Sequence, residues 1–397
     1  MILELFNCLL YIFALILYRL HHRQFDTYSL ILTSYLATAI FCYLYQLSGT
    51  SPYHGTTLFP YLYLFICLLI VLSPLKGFQI KESICVNETS FIKILTWIYI
   101  ITGIYSIIVT LPDALALFRQ GEWGMLRQAI YNEDDVKLYH SAFEGLCKNI
   151  HAYMGPLGII LCFNEVAKKD KSIIKIALLF ISWLGASFLD ATLIASRGLI
   201  ANLILNVFFC ILIFKNSISR RVSRILIVFA LILVIPLFAY MMVVSFSRFG
   251  EDGAGDSIFF YLGHSMLCFN DSMMGSMHDY AMGKYAFNYF LPFFGLDQNI
   301  NYTSLGFNEI TSFFTVFGSF YIDLGPYLTL PFCILFALFL RQFTKQNKIR
   351  ISHLICIIFF YSFILDGVFV IGPGYALPWM ITIVLYYIIK MTETKKI

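Results

Sequence analysis

The chain has 397 residues, of which 59% are hydrophobic and only 13% are charged, and its formal net charge is +4. So little charge cannot cover a soluble protein of this size, which excludes a soluble globular enzyme and a nucleic-acid-binding protein with a basic face. Apolar windows of about 16 to 22 residues recur along the chain, and each could cross a bilayer core of roughly 30 Å. The sequence therefore predicts an all-α, polytopic integral membrane protein.

In chain order, the apolar windows predict about eleven transmembrane helices within a single transmembrane domain, 1–397. The predicted spans are 2–19, 27–46, 58–74, 93–111, 150–166, 174–193, 198–214, 225–245, 326–340, 351–370 and 377–390. The first window, MILELFNCLLYIFALILY, lacks a basic start and a small-residue cleavage site. We therefore expect a first span there and not a cleaved signal peptide.

The loops between these windows alternate in charge, and one set of loops carries twenty of the 27 lysines and arginines. These are Arg19, Arg23, Lys76, Lys81, Lys93, Lys168, Lys169, Lys171, Lys175, Lys215, Arg220, Arg221, Arg224, Arg341, Lys345, Lys348, Arg350, Lys390, Lys395 and Lys396. Because cytoplasmic loops are enriched in Lys and Arg, this side is predicted to be cytoplasmic. The N-terminus is then periplasmic and the C-terminus cytoplasmic.

The predicted inner loops are short and hold no nucleotide-binding motif, so we expect chemistry at or near the outer leaflet, without ATP or a nucleotide sugar. Two longer loops, 112–149 and 246–325, are predicted on the outer face. The second is rich in aromatic residues, Gly and Asn, which suits either a carbohydrate-binding surface or an aromatic belt at the membrane interface. Its last part, 310–325, is too polar for an ordinary span at Tyr321 and Asp323. It is either re-entrant or a loop packed on the bundle.

Seven cations lie outside the basic inner loops, and because positive charge is scarce on this face, each is a candidate for a specific role. They are Arg119, Arg127, Lys137, Lys148, Arg197, Arg248 and Lys284. Arg197 and Arg248 stand at the outer ends of predicted spans. An arginine costs on the order of 3 kcal/mol at a helix centre and less near the interface, a cost that a partner normally offsets.

Two interpretations of Arg197 stay open. It forms a static salt bridge with Asp190, which lies two turns earlier on the same face if the helix continues, or its planar guanidinium binds phosphate oxygens in a wet cavity. For Arg248, the alternative to phosphate contact is a solvated cluster with the acidic residues that follow it. His264 is either a proton acceptor or a hydrogen-bonded structural residue.

We find no defensible metal-ligand spacing and no hydrolase motif, so neither a metal nor another cofactor is expected.

The chain resembles Wzy-type polymerases of lipid-linked oligosaccharide repeat units, the family that builds O-antigen or capsular polysaccharide. The residues that carry the resemblance are ASRG at 195–198, SFSRFG at 245–250 and TSFFTVFGSFYIDLGPY at 311–327. The resemblance covers roughly residues 90–345 in the order of the spans and the sizes of the loops. The first 90 residues match only as generic spans.

The resemblance implies a GT-C-like, multi-span glycosyltransferase in the bacterial inner membrane that needs no metal. Its donor would be a growing glycan on undecaprenyl pyrophosphate and its acceptor a single lipid-linked repeat unit. A chain-length regulator and a flippase would be its protein partners, and nucleic acid would not be one. By position, the resemblance implies pyrophosphate contact by Arg197 and Arg248, a catalytic base in His264, headgroup steering by Arg119 or Arg127, and sugar contact by Tyr321 and Asp323.

Three other functions remain as alternatives. An O-antigen ligase would use the same donor and transfer the glycan to the lipid A core, and its sequence pattern is nearly the same. A flippase for the lipid-linked oligosaccharide would be expected to show internal repeats and charges within several spans. A membrane acyltransferase would need a cytoplasmic acyl-donor site, which the short inner loops do not favour.

Overall fold

The computed structural model describes residues 1–78, 89–120, 141–168, 170–194, 196–307, 314–346, 349–369 and 371–394, with the backbone alone at 120, 197, 229, 233, 241 and 244–258. These ranges contain eleven α-helices and no strand. The helices are α1 (Ile2–His21), α2 (Thr27–Leu47), α3 (Leu58–Leu72), α4 (Ser90–Gln120), α5 (Ala142–Ala167), α6 (Ile173–Leu193), α7 (Arg197–Phe214), α8 (Arg220–Cys268), α9 (Thr315–Thr344), α10 (Ile351–Asp366) and α11 (Ala376–Thr394). Each helix overlaps one predicted span, in chain order.

Eight segments of the described chain are long and apolar enough to cross a membrane. They are Ile2–His21, Thr27–Leu47, Leu58–Leu75, Ser90–Arg119, Ala142–Ala167, Ile173–Leu193, Arg220–Tyr240 and Thr315–Thr344. Large apolar side chains such as Ile232, Ile235 and Leu335 are exposed on these helices. Such faces are expected where a helix meets lipid, because lipid tails are as apolar as leucine. The chain is therefore an all-α, multi-pass membrane protein.

Small polar side chains begin several of the helices. Asp26 accepts a hydrogen bond from the Ser29 backbone N–H at 2.9 Å before α2, and Ser141, Ser172 and Ser196 accept corresponding bonds before α5, α6 and α7. These side chains satisfy backbone donors that have no partner within the first turn of a helix. A cap fixes the residue at which a helix begins. Helix α7 begins at Arg197, directly after its cap Ser196 and next to the predicted start at 198.

The packing of the described chain separates two compact units. Unit 1 comprises Met1–Gln79, Gly255–Gln346 and Phe363–Met380. Unit 2 comprises Ile80–Ala254, Asn347–Ser362 and Ile381–Ile397. Helices α8, α10 and α11 contribute residues to both units.

Helices extend into both predicted outer loops. Helix α4 continues to Gln120 and α5 begins at Ala142, so both ends of the loop predicted at 112–149 are helical. Helix α8 runs for 49 residues, and a π-helix at Phe269–Met274 follows it, so the first part of the predicted loop 246–325 is also helical. A helix satisfies its own backbone groups and needs no membrane to persist, so the end of an apolar window does not have to end the helix.

Helix α9 begins at Thr315, well before the predicted start at 326, and it bends at Gly325. This glycine has φ 64° and ψ −173°, a conformation that only glycine adopts readily. A Cβ there would also lie 2.8 Å from the Tyr280 ring. The turns before Gly325 are almost fully buried, so the polar side chains that argued against a span meet protein and not lipid.

An irregular segment between α10 and α11 in unit 1 is paired with the protein around it. The Thr315 backbone N–H donates to the Phe369 carbonyl at 2.7 Å, and the Ser265 hydroxyl donates to the Val368 carbonyl at 2.8 Å. The Gly374 N–H donates to the Tyr285 carbonyl at 2.7 Å. Non-helical backbone at the level of membrane helices requires such partners, because lipid offers none.

Candidate functional site

One end of unit 2 brings together the ends of three helices and a middle part of a fourth. Its core consists of Ala191, Ile200, Leu237 and Tyr240, with Leu117, Phe188 and Ile204 packed against it. These residues come from the last turns of α4 and α6, the first turns of α7, and α8 where its candidate span ends. We call this end of unit 2 the convergent end. The charge distribution of the loops predicts that it faces the periplasm.

Tyr240 lies at the centre of the convergent end. Its ring is 5.8 Å from that of Phe118 on α4 and 5.4 Å from that of Phe188 on α6, with tilted and edge-on geometry. Edge-on aromatic pairs add about 0.5–1.5 kcal/mol beyond the burial of their area. Tyr240 therefore ties α4, α6 and α8 together at this level.

Three charged side chains lie beside this core and are termed the charge cluster here: Glu144 and Lys148 on α5, and Asp190 on α6. The Lys148 Nζ is 2.6 Å from the Glu144 Oε1, and both side chains are almost fully buried. Asp190 interacts electrostatically with both of them. Ionisable groups within membrane helices are costly and rare, so a cluster of this kind marks a candidate functional site.

Glu144 was missed by the sequence analysis. Its spacing from Lys148 is i, i+4, which places the two side chains on the same face of a helix, and that spacing is visible in the sequence. The partnership with Asp190 is not visible, because it joins α5 to α6 across the sequence. The side chain of Arg197, the other predicted partner of Asp190, lies outside the described part of the chain.

Three of the four predicted arginines have their backbone at or near the convergent end. Arg119 is exposed in the last turn of α4, and Arg197 is the first residue of α7. Arg248 follows Tyr240 on α8 by about two turns, or roughly 12 Å along the helix. The described residues do not include Arg127 or the side chain of Arg248. The sequence could not show that α4, α7 and α8 meet at this end.

The first turn of α7 adds backbone donors to the convergent end. Ser196 caps the helix by accepting a bond from the Leu199 N–H at 3.4 Å. The dipole of a helix favours an anion near its N-terminus. A Cβ built on Gly198 would have no heavy atom within 4 Å, so there is open space beside this turn.

His264 belongs to unit 1, beyond the candidate span of α8. Its side chain is fully buried, its ring stacks on Phe260 at 4.2 Å, and its Nδ1 lies 2.5 Å from the Phe260 carbonyl oxygen. Burial lowers the pKa of the His264 imidazole to about 4. The neutral ring is the form that accepts a proton, yet it is shielded from solvent. The role of catalytic base stays a prediction.

Tyr321 and Asp323, the two predicted sugar contacts, also belong to unit 1. The Tyr321 ring lies edge-on between Phe269 and Tyr280, each at 5.8 Å. The Asp323 carboxylate accepts backbone N–H groups from a loop: Gly283 at 3.0 Å, Tyr285 at 2.9 Å and Ala286 at 2.8 Å. This cradle has no sequence signal, because the partners lie about forty positions earlier. Sugar contact by either residue stays a prediction.

No group of three or more His, Cys, Asp or Glu side chains in the described ranges is placed to hold a metal ion. Comparisons with protein-family models, with curated proteins and with solved structures found no match for this chain. Its function is therefore inferred from the residues themselves.

Proposed function

We propose that the chain is a glycosyltransferase of the Wzy type, which polymerises undecaprenyl-pyrophosphate-linked oligosaccharide repeat units at the outer face of the bacterial inner membrane. The product would be O-antigen or capsular polysaccharide. One observation supports the proposal most. The helices that carry Arg119, Arg197 and Arg248 meet at the end of unit 2 that holds the charge cluster.

In the proposed reaction, a hydroxyl of the acceptor repeat unit attacks the anomeric carbon of the donor glycan. The bond from that carbon to the pyrophosphate oxygen breaks, and undecaprenyl pyrophosphate leaves with the bonding electrons. The proton of the attacking hydroxyl passes to a general base or to water. Negative charge grows on the leaving group, and preorganised cations in a site of low dielectric stabilise it. Arginine suits this role because its planar guanidinium can bind two phosphate oxygens at once.

The packing of the convergent end would hold these cations in position. The Tyr240 contacts fix α4, α6 and α8 relative to one another, and the Lys148–Glu144 ion pair lies beside the end of α6. The dipole of α7 would favour a negative charge near Arg197, which is the first residue of this helix. The free energy for the transfer comes from the donor's own pyrophosphate linkage. A nucleotide is therefore not required, in keeping with the short inner loops.

Replacing Arg197 with Ala tests the proposal. Because the guanidinium would stabilise the departing pyrophosphate, we expect the variant to insert and accumulate normally but to make no polymer. Gel analysis of lipopolysaccharide should then show single repeat units on the lipid core. The matched control is Arg221→Ala, in the first turn of α8 and on the predicted cytoplasmic side, which should keep the full ladder of polymer bands. Arg248→Lys in the same assay asks whether bidentate geometry or charge alone is needed.

The alternatives give different gels. A ladder of normal length from Arg197→Ala would favour the salt bridge with Asp190 and contradict the proposal. A lipid core without any repeat unit would indicate a ligase, provided that undecaprenyl-linked polymer accumulates. If lipid-linked repeat units instead accumulate on the cytoplasmic side, the chain is a flippase.

A further inference from the structure

Unit 1 carries a loop at 282–296 whose exposed side chains are almost all apolar, and we call it the aromatic loop. Phe293 is 84% exposed and Phe294 is 76% exposed. Other large apolar residues on the loop are also exposed: Met282, Phe287, Tyr289 and Leu296. Between Lys284 and Asp297 the sequence has no charged residue. An apolar patch of this kind on a folded protein usually marks a surface that meets a partner or a membrane.

The exposure comes from an ordered conformation. A 3₁₀-helix spans Asn288–Phe294 and ends at Gly295, whose φ of 68° lies in the left-handed region. The Asn288 side-chain amide donates to the Gln298 carbonyl at 2.7 Å, which closes the base of the loop. Leu291 points into the protein and is buried. Phe293 and Phe294 are therefore exposed because the ordered loop directs them away from the protein.

The base of the aromatic loop is fastened to the start of α9 and to the segment before α11. Asp323 on α9 accepts the backbone N–H groups of Gly283, Tyr285 and Ala286. The Tyr289 ring lies against Gly374 so closely that a Cβ there would be 2.2 Å from it. The loop is thus held at a defined position along α9.

That position adjoins an exposed apolar face of α9. One turn after Asp323, Tyr327 is 87% exposed and Leu328 is also exposed. Leu335 and Leu338 continue the exposed apolar face of this candidate span. Aromatic side chains are enriched where membrane helices pass the boundary between lipid and water. The aromatic loop and Tyr327 together have the composition of such a boundary.

We propose that the aromatic loop inserts Phe293 and Phe294 into the interfacial region of the lipid bilayer, so that lipid is the partner that covers this surface. The continuity with the exposed face of α9 favours lipid over a second protein. The absence of charge between Lys284 and Asp297 favours it as well. The inference does not rest on the proposed glycosyltransferase activity, and it holds or fails separately.

Tryptophan placed on the loop tests the inference. The full chain would be reconstituted at low density into phosphatidylcholine vesicles, with Phe293→Trp as the probe and Asn301→Trp, an exposed polar position of the same region, as the matched control. Emission of the parent protein in the same vesicles would be subtracted. We expect lipid brominated near the top of the acyl chain to remove most of the added emission at 293 and little of that at 301. Iodide in the water should do the reverse.

Two results would overturn the inference. If iodide quenches the probe at 293 as strongly as the probe at 301, the loop lies in water. If neither brominated lipid nor iodide reaches position 293, protein covers the loop, and a second copy of the chain becomes the occupant. Thermal unfolding of both variants would show that the probes leave the fold intact.

Discussion

At the scale of single residues, Asp323 shows how one carboxylate can hold an irregular loop beside a membrane helix. Its two oxygens accept three backbone N–H groups, at 2.8–3.0 Å, from residues that belong to no regular helix. A buried N–H without a partner costs about 1–3 kcal/mol, so a side chain that pairs three of them has a large effect on stability. The residue type is visible in the sequence, but its partners are not.

Replacing Asp323 with Ala should lower the stability of the protein by several kcal/mol, since about 1–3 kcal/mol is lost for each buried N–H left unpaired. Asp323→Asn keeps one carbonyl oxygen, which can still accept the hydrogen bonds of Gly283 and Tyr285. The stability of this variant should therefore lie between that of the parent protein and that of Asp323→Ala. The measurement is the unfolding temperature in detergent, with the exposed Asp297→Ala as control. Equal unfolding temperatures for the Asp323 and Asp297 variants to Ala would contradict the role of the cradle.

The Lys148–Glu144 pair makes a related point about charge. Removing one partner of a buried ion pair leaves the other uncompensated, which typically costs about 3–5 kcal/mol. Because the Lys148–Glu144 pair is buried, replacing either residue alone should destabilise the protein by about this amount. The i, i+4 spacing predicts the pair, whereas the approach of Asp190 depends on how α6 packs on α5.

At the scale of whole elements, α4, α5 and α6 pack closely because glycines stand where the helices meet. A Cβ built on Gly103 of α4 would lie 2.6 Å from the Ser182 Cβ on α6 and 2.7 Å from the His151 ring on α5. The Ser182 hydroxyl donates to the Ile100 carbonyl at 3.2 Å. Small residues at such interfaces let the backbones of membrane helices approach each other.

Gly103→Ala should therefore force α4 away from both neighbours and cost about 1–3 kcal/mol, as overpacked cores generally do. Gly155→Ala on α5 is the matched control, because a Cβ there would meet no heavy atom within 4 Å. The unfolding temperatures can be compared with a thiol-reactive dye, since the buried cysteines become accessible when the helices separate. An unfolding temperature for Gly103→Ala equal to or above that of Gly155→Ala would refute this account of the packing.

The ends of the elements follow the sequence less well than their centres. Apolar windows predict the central turns of all eleven helices, because each window depends on the local residues alone. The early start of α9 depends on partners for its polar side chains, among them Ile371, whose carbonyl accepts the Ser319 hydroxyl at 2.9 Å. No property of residues 315–325 by themselves reveals that partner.

At the scale of the whole molecule, the distribution of positive charge makes a prediction about orientation. Twenty of the 27 lysines and arginines occupy loops that should all face the cytoplasm. Green fluorescent protein fused to the C-terminus of the full chain should fluoresce, and alkaline phosphatase at the same place should be inactive. Alkaline phosphatase fused after Asp297 should be active. The opposite pattern at both positions would mean that the chain is inserted the other way round.

The amino-acid sequence by itself determined that this is a helical membrane protein, and it determined the order and approximate centres of its helices. These properties follow from hydrophobicity summed over neighbouring residues, so no distant contact is needed to read them. The tertiary structure decided which helix ends meet at the convergent end of unit 2, and which backbone groups Asp323 binds in unit 1. Both depend on side chains far apart in the sequence, because packing and hydrogen bonding act between neighbours in space.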